Sequence, residues 1–465
     1  MTMQGCAGSD LQPWHKTKLK EEFTAEMAAD VQTLGDYQAL EGRLFDELAR
    51  EVYSAVKTGP NFALVRYSAG SASDPRSGNP DWNRTFELEQ ADPRGAVLLL
   101  HGMSDSPYSL RSLAETLHQG GYQVLGMRMP GHGTAPSGLK YIKPADMRAA
   151  VRVGMRHLSS TVGDKPIHVI GYSTGATLAL DYALDATAGL QSPVPASIAL
   201  ISPAIRIHAA AGMARFKDAI SIVPGLGGMS WLAVEPEFDP YKYNSFATNA
   251  GHVVHRLTRS IVSRIEERSA AGPVSMPPII AFKSTVDSTV TTEAIVDNLL
   301  SLLEPNRHQL VLFDINRFAA KSVILIDDPG PLTYRLMSDA DLPFAVTFVV
   351  NENPDTEAVV ARHKKPFTAA ATESEELTLA WPDDVMSLSH VALPFPPDDP
   401  LYGIYRPESA TQIYLGDTAM KSERGLIKLP GDWLLRMRYN PFYEVIENRV
   451  IRWLANAEGQ DTITD

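Results

Sequence analysis

The 465-residue chain has a formal net charge of −13, with 44% hydrophobic and 21% charged residues. That is ordinary globular usage and is long enough for a large core, so one α/β domain with insertions is expected rather than three separate domains. The acidic balance argues against general affinity for nucleic acid or anionic membranes, and no run reaches the ~18 apolar residues of a membrane span.

The single cysteine, Cys6, excludes an intrachain disulfide, so stability must come from packing. Gln4-Gly5-Cys6-Ala7-Gly8-Ser9-Asp10 looks like the end of a bacterial lipoprotein signal without its apolar region. The expectation is a truncated start and a periplasmic or outer-membrane lipoprotein lipidated at Cys6; as written, the chain would be cytosolic. Residues 1–90 read as an N-terminal extension. Helix-like spacing runs from Lys16 to Ala29 and from Tyr37 to Val56, followed by a turn-rich stretch from Ser68 to Pro80.

Three strand–loop junctions follow within residues 91–205. Ala96 to Leu100 reads as a buried strand and ends in His101-Gly102-Met103-Ser104-Asp105-Ser106-Pro107. The strand from Gln123 to Met129 runs into Pro130-Gly131-His132-Gly133-Thr134-Ala135-Pro136. The run Ile167 to Ile170 leads directly into Gly171-Tyr172-Ser173-Thr174-Gly175, with helix-forming Ala176 to Leu180 after it. This last stretch has the G-x-S-x-G pattern between strand and helix, where the serine of a nucleophile elbow is raised above the sheet. The two glycines are needed because a Cβ there would meet the neighbouring strand and helix. A helix merely capped by serine would need no chemistry.

The order and spacing of these three junctions resemble the α/β-hydrolase superfamily, and within it the bacterial carboxylesterase and monoacylglycerol-lipase-like branch, over about residues 90–205. The resemblance implies a mostly parallel central sheet flanked by helices, with a helical lid insertion. It also implies that the backbone N–H groups of Met103 and Thr174 form an oxyanion hole, with His101 and His132 as loop residues. In that fold the acid and then the histidine follow the serine. The strand Pro278 to Lys283 runs into Ser284-Thr285-Val286-Asp287-Ser288-Thr289-Val290, so Asp287 is the expected acid and Asp314 the alternative. Beyond Asp287 stand His308, His363 and His390. His308 precedes its strand, at the wrong end for the site, and His363 reads as part of a solvated helix end. His390 lies in the small, apolar, non-helical stretch Ser387 to Phe395 and is the expected general base and acid. In the family the histidine follows the eighth strand closely; here residues 316–389 intervene.

The rest of the chain is divided accordingly. Residues 206–275 carry helical and loop patterns without a clear strand and are read as the lid. Met213, Phe216, Ile220, Ile222, Leu226, Met229, Trp231 and Leu232 supply its apolar surface; Phe216, Trp231 and Leu232 are the expected substrate contacts. Residues 276–315 complete the core, and 316–389 form an accessory α/β insertion that includes strand-like Phe344 to Val350 and helix-like Pro354 to Ala361. Residues 390–465 hold the histidine loop and a final helix from about Phe442 to Ala455. No metal is expected, since His252 and His255 could share a helix face but lack a third ligand. Gly225-Leu226-Gly227-Gly228 lacks the context of a phosphate loop. The expected activity is cofactor-free hydrolysis of carboxylic esters of short to medium acyl chains, with mono- and triacylglycerols as further candidates. A proline-type serine aminopeptidase or a non-catalytic binding protein of the same fold are the alternatives.

Overall fold

Apolar runs buried at every position build the middle of the sheet, which is how strands covered on both faces read. These are β2 (Ala96–Leu100), β3 (Gln123–Met127), β4 (Ile167–Tyr172), β5 (Ser197–Ile201) and β8 (Ile279–Ser284). The computed structural model describes residues 11–78, 80–205, 230–287, 290–319, 328–383, 385–406, 413–416 and 438–459. Cys6 and the lid residues 206–229 lie outside these. The remaining strands are β1 (Phe86–Leu88), β6 (Trp231–Ala233), β7 (Phe246–Ala247), β9 (His308–Phe313), β10 (Ala345–Asn351), β11 (Ala358–Lys364) and β12 (Glu373–Ala380). Among the described residues, ten of them form one sheet in the order β1-β3-β2-β4-β5-β8-β9-β10-β11-β12, and β6 pairs with β7 apart from it. The sheet is parallel from β3 through to β10, with antiparallel β1 at one end and antiparallel β11 and β12 at the other.

Helices cover both faces, as a parallel sheet requires. On one side α4 (Pro144–Val162), α5 (Thr174–Thr187), α6 (Thr248–Ser269) and α7 (Thr292–Asn298) share a core with Leu98, Leu125, Val169 and Leu200. On the other, Leu113 and Leu117 of α3 (Arg111–Gln119) and Ile446, Val450 and Leu454 of α9 (Tyr443–Ala457) pack with Val97, Ile170 and Phe282. The short helix α8 (Gly330–Ser338) adds Leu336 to the first of these cores, and α1 (Pro13–Lys16) places Trp14 in a separate cluster with Leu44 and Tyr67. No helix among the described residues is long and apolar enough to cross a membrane.

The N-terminal extension wraps the core through buried polar contacts. Thr33 caps α2 (Leu34–Glu51), accepting the Asp36 N–H at 3.1 Å. Within that helix Tyr37 donates to the Arg128 carbonyl at 2.7 Å, and Glu41 receives Arg128 Nε at 2.7 Å. Glu22 holds the other end of the same guanidinium at 3.0 Å and accepts the Gly131 N–H at 2.8 Å. The stretch from Lys16 to Ala29 is therefore not the expected helix. Side chains of other elements take its backbone donors: Glu47 of α2 accepts from Lys20 and Glu21, and Asp146 of α4 accepts from Ala25. Only Ala25–Ala29 turns, as a 3-10 segment.

The accessory insertion extends the sheet with β10 to β12. The helix expected over Pro354 to Ala361 is replaced by strand β11, which also contains His363 and Lys364. Its apolar run is paired on both sides, by β10 and β12, and such a run looks alike in helix and buried strand. Residues 230–273, expected to lack strands, contain the short β6–β7 pair. The insertion is a closed excursion. Where it leaves and where it returns, Asn316 donates its N–H to Met386 O and its Nδ2–H to Val385 O, each at 2.9 Å.

Candidate active site

The serine stands where β4 gives way to α5, with no loop between them. Ser173 has φ 52° and ψ −113°, a strained conformation for a residue with a side chain. A Cβ on Gly171 would lie 2.4 Å from the Ala176 nitrogen, and one on Gly175 would lie 1.9 Å from the Leu100 carbonyl. Neither contact can relax without moving backbone, so both glycines are obligatory. The Ser173 N–H donates to Ile201 O at 2.9 Å and ties the turn to β5.

His390 and Asp287 meet this serine from distant parts of the chain. His390 Nδ1 lies 2.8 Å from Asp287 Oδ2, and its Nε2 lies 3.1 Å from Ser173 Oγ. With Nδ1–H donating to the carboxylate, Nε2 is bare and can accept the serine hydroxyl proton. Tyr172 OH reaches the His390 carbonyl at 3.4 Å. Asp287 follows β8 and is fully buried. Burial alone would raise its pKa, but the His390 and Lys283 charges and their hydrogen bonds hold it well below the ordinary carboxylate value. Thr291, not Asp287, caps α7, accepting from the Ala294 N–H at 3.3 Å.

Lys283, the next-to-last residue of β8, is the neighbour that sequence reading missed. Its Nζ lies 3.0 Å from Asp287 Oδ2, and both side chains are fully buried. A lone basic residue in an otherwise apolar strand was the available signal, because a buried ammonium needs a carboxylate partner.

The first backbone loop lies against the serine. A Cβ on Gly102 would come within 3.2 Å of Ser173 Cβ and 2.7 Å of Asp105 Oδ2, so Met103 follows a residue packed against Ser173. Thr174 opens α5, and its N–H is one of those a helix leaves without an internal acceptor. His101 accepts the Met129 N–H on Nε2 at 3.0 Å and places Nδ1 2.9 Å from Gly102 O, joining the first two loops. Burial keeps it neutral, with its pKa well below 6.5. His132, lowered to about 4 by burial, sets Nδ1 2.9 Å from Pro130 O. Its other nitrogen faces Met103 Sδ at 3.3 Å, and with Nδ1 donating, that is a contact between two acceptors. Both histidines are loop residues, as expected.

Downstream of His390 the chain is fastened to the same loop. Asp399 accepts the N–H groups of Leu401 and Tyr402, Tyr108 OH at 2.9 Å and Arg111 Nη2 at 3.3 Å. Tyr108 stacks on Tyr241 at 4.1 Å between centroids, and Asp105 pairs with Lys242 at 2.6 Å.

The other candidates lie elsewhere. His308 accepts the Ile279 N–H at 3.2 Å, at the opposite edge of the sheet. His363 contacts Thr347, Glu375 and Arg449. Asp314 is paired with Arg317 at 3.0 Å. Trp231 is buried, edge-on to His15 at 5.1 Å and beneath Lys140 Nζ, so its described contacts are packing rather than the expected face of an acyl pocket. Leu232 is half-buried beside Gly251 of α6. Phe216, Ser288 and the Gly225–Gly228 turn lie outside the described residues. His252 and His255 are on α6, and among the described residues no group of three or more His, Cys, Asp or Glu is placed to hold a metal.

Residues 91–257 match the family described as serine aminopeptidase, S33. A thermostable monoacylglycerol lipase of Bacillus sp. (strain H-257) is 34% identical over 126 residues, covering 27% of this chain and 49% of that protein. The chain thus spans about half the length of the curated relative it matches. Among solved structures, one of metagenome-derived lipolytic enzymes is 22% identical, with a TM-score of 0.38, covering 50% of this chain and 87% of that one. The monoacylglycerol lipase of Paleococcus ferrophilus is 18% identical, with a TM-score of 0.38, covering 50% and 88%. With the elbow between β4 and α5 and a mostly parallel sheet flanked by helices on both faces, the chain has an α/β architecture that over residues 91–257 is similar to the serine aminopeptidase S33 family and, over part of that span, to a monoacylglycerol lipase.

Proposed function

We propose that the protein is a serine hydrolase of carboxylic esters, acting through Ser173, His390 and Asp287. The observation that carries this reading is the unbroken line of contacts from Asp287 Oδ2 through His390 to Ser173 Oγ, at 2.8 and 3.1 Å. In the reaction Ser173 Oγ attacks the ester carbonyl while His390 Nε2 takes its proton. The carbonyl oxygen becomes an anion held by the Met103 and Thr174 N–H groups, each worth ~2.7–4 kcal/mol in the transition state. Collapse of the tetrahedral species expels the alcohol, protonated by His390, and leaves an acyl-serine. Water, deprotonated by the same imidazole, then releases the acid. Asp287 holds the tautomer and stabilises the imidazolium. This chemistry needs no cofactor.

Short- to medium-chain acyl esters are the proposed substrates, with mono- and triacylglycerols included because the curated relative is named a monoacylglycerol lipase. The description of the matching family favours one second reading, a serine aminopeptidase using the same triad. A fluorophosphonate probe tests the class: it should label wild type and not Ser173→Ala. Rates on p-nitrophenyl butyrate against proline p-nitroanilide then separate esterase from peptidase. A folded wild type that resists the probe and cleaves neither substrate sinks the enzyme reading.

A further inference from the structure

We infer that Lys283 is a positioning residue whose ammonium, bonded to the same carboxylate oxygen as His390, keeps that histidine in its basic form to lower pH than an aspartate alone would allow. The inference rests on the proposed hydrolase reading and deepens it. Lys283 Nζ lies 3.0 Å from Asp287 Oδ2 and 3.4 Å from the Asp287 carbonyl, with no solvent exposure. His390 Nδ1 reaches the same Oδ2 at 2.8 Å. One oxygen therefore serves two donors from opposite partners, which fixes the carboxylate rotation and leaves its charge divided between them. A full carboxylate stabilises an imidazolium, whereas a carboxylate already neutralised by a buried ammonium does so far less. When His390 takes the serine proton, a second cation forms within about 6 Å of the first, at an effective dielectric near 20.

Other charges face this group as well. Asp105, on the loop after β2, feels His390 and is itself paired with Lys242. Tyr172, at the end of β4, faces Asp105 and Asp287, and burial keeps its hydroxyl protonated. The Glu293 charge on α7 also favours the ammonium of Lys283, less strongly than Asp287 does. Of these, Lys283 is the cation bonded directly to the triad carboxylate.

The test is the pH dependence of the rate at which a fluorophosphonate inactivates the full-length protein, for wild type, Lys283→Met and Lys283→Gln. Wild type sets the reference position of the acid limb. In both variants it should move up by roughly one to two pH units, because the removed cation no longer opposes imidazolium formation. Lys283→Gln can still donate to Oδ2, so a shift in it isolates charge from hydrogen bonding. A purely structural lysine would lower the melting temperature or the maximal rate and leave the limb in place. Folded variants whose limb stays within about 0.3 unit of wild type overturn the inference and leave the hydrolase reading intact. If neither variant folds, Lys283→Arg, which keeps a cation beside Oδ2, decides: a limb that moves up as far as expected for the neutral variants overturns the inference. Labelling that persists in Ser173→Ala overturns both.

Discussion

Replacing Asp287 by asparagine tests the site and its foundation together. In a triad whose aspartate has no other partner, this change leaves the fold alone and lowers kcat about 10⁴-fold, because the histidine loses its tautomer. Here the carboxylate is also the counter-charge of Lys283, 3.0 Å away and equally buried. The Asp287→Asn change would leave that ammonium in the interior with amide and carbonyl oxygens only. The lysine then loses its proton, since burial already lowers its pKa from 10.5 and the opposing pull of Asp287 is gone. The free energy of deprotonating a lysine of ordinary pKa at pH 7 sets an upper bound of ~5 kcal/mol, at about 1.4 kcal/mol per pH unit.

The sign follows from proton counts. The folded variant binds fewer protons at Lys283 than the unfolded chain, so its stability rises with pH up to about 10.5. By pH 9 the bound shrinks to ~2 kcal/mol. Urea unfolding at pH 7 and pH 9 should show Asp287→Asn well below wild type at the first and closer to it at the second. Adding Lys283→Met should recover most of the loss, because removing both charges is far cheaper than stranding one. If Asp287→Asn unfolds within about 1 kcal/mol of wild type at pH 7, Lys283 does not depend on that carboxylate, and the reasoning fails.

His390→Ala should match Ser173→Ala in lost esterase activity, with the double variant no worse than either, because triad members act as a unit. Active His308→Ala and His363→Ala proteins complete that pattern; the reverse would show that the wrong histidine had been assigned. Gly175→Ala should lose activity by at least 10²-fold with p-nitrophenyl butyrate, since its Cβ, 1.9 Å from Leu100 O, would displace the adjacent Thr174 donor; near-wild-type kcat would contradict that geometry. Arg128→Met should cost ~3–5 kcal/mol in urea unfolding, because it strands Glu41, already raised in pKa by burial, inside the protein.

What could be read in the sequence was whatever the local backbone demands. An elbow with positive φ at Ser173 and no room for Cβ atoms on either side writes itself as G-x-S-x-G. Strands buried on both faces write themselves as apolar runs, and β2, β3, β4 and β8 were expected close to where they stand. The same rule misled at β11, where a four-residue apolar run carries no period to distinguish helix from paired strand. It also misled over Lys16 to Ala29. There the helix-like spacing belongs to a wrap whose backbone donors are met by Glu47 and Asp146, residues far along the chain.

The histidine is the harder case, because nothing local to His390 says where it will be. Its position depends on two non-local closures. Asn316 clamps Val385 and Met386, so the strands β10 to β12 can be added between β9 and the histidine loop without changing where the chain returns. Asp399, held by Tyr108 and Arg111, then fastens the far side of that loop to the segment that follows the Gly102 turn. The loop that carries His390 and the loop that follows β2 are thus anchored to one another, independently of the insertion's length. Such closures join residues from about 70 to about 290 positions apart and leave no period or spacing to read. That is why His390 had to be reached by eliminating His308 and His363, whereas Ser173 could be recognised directly.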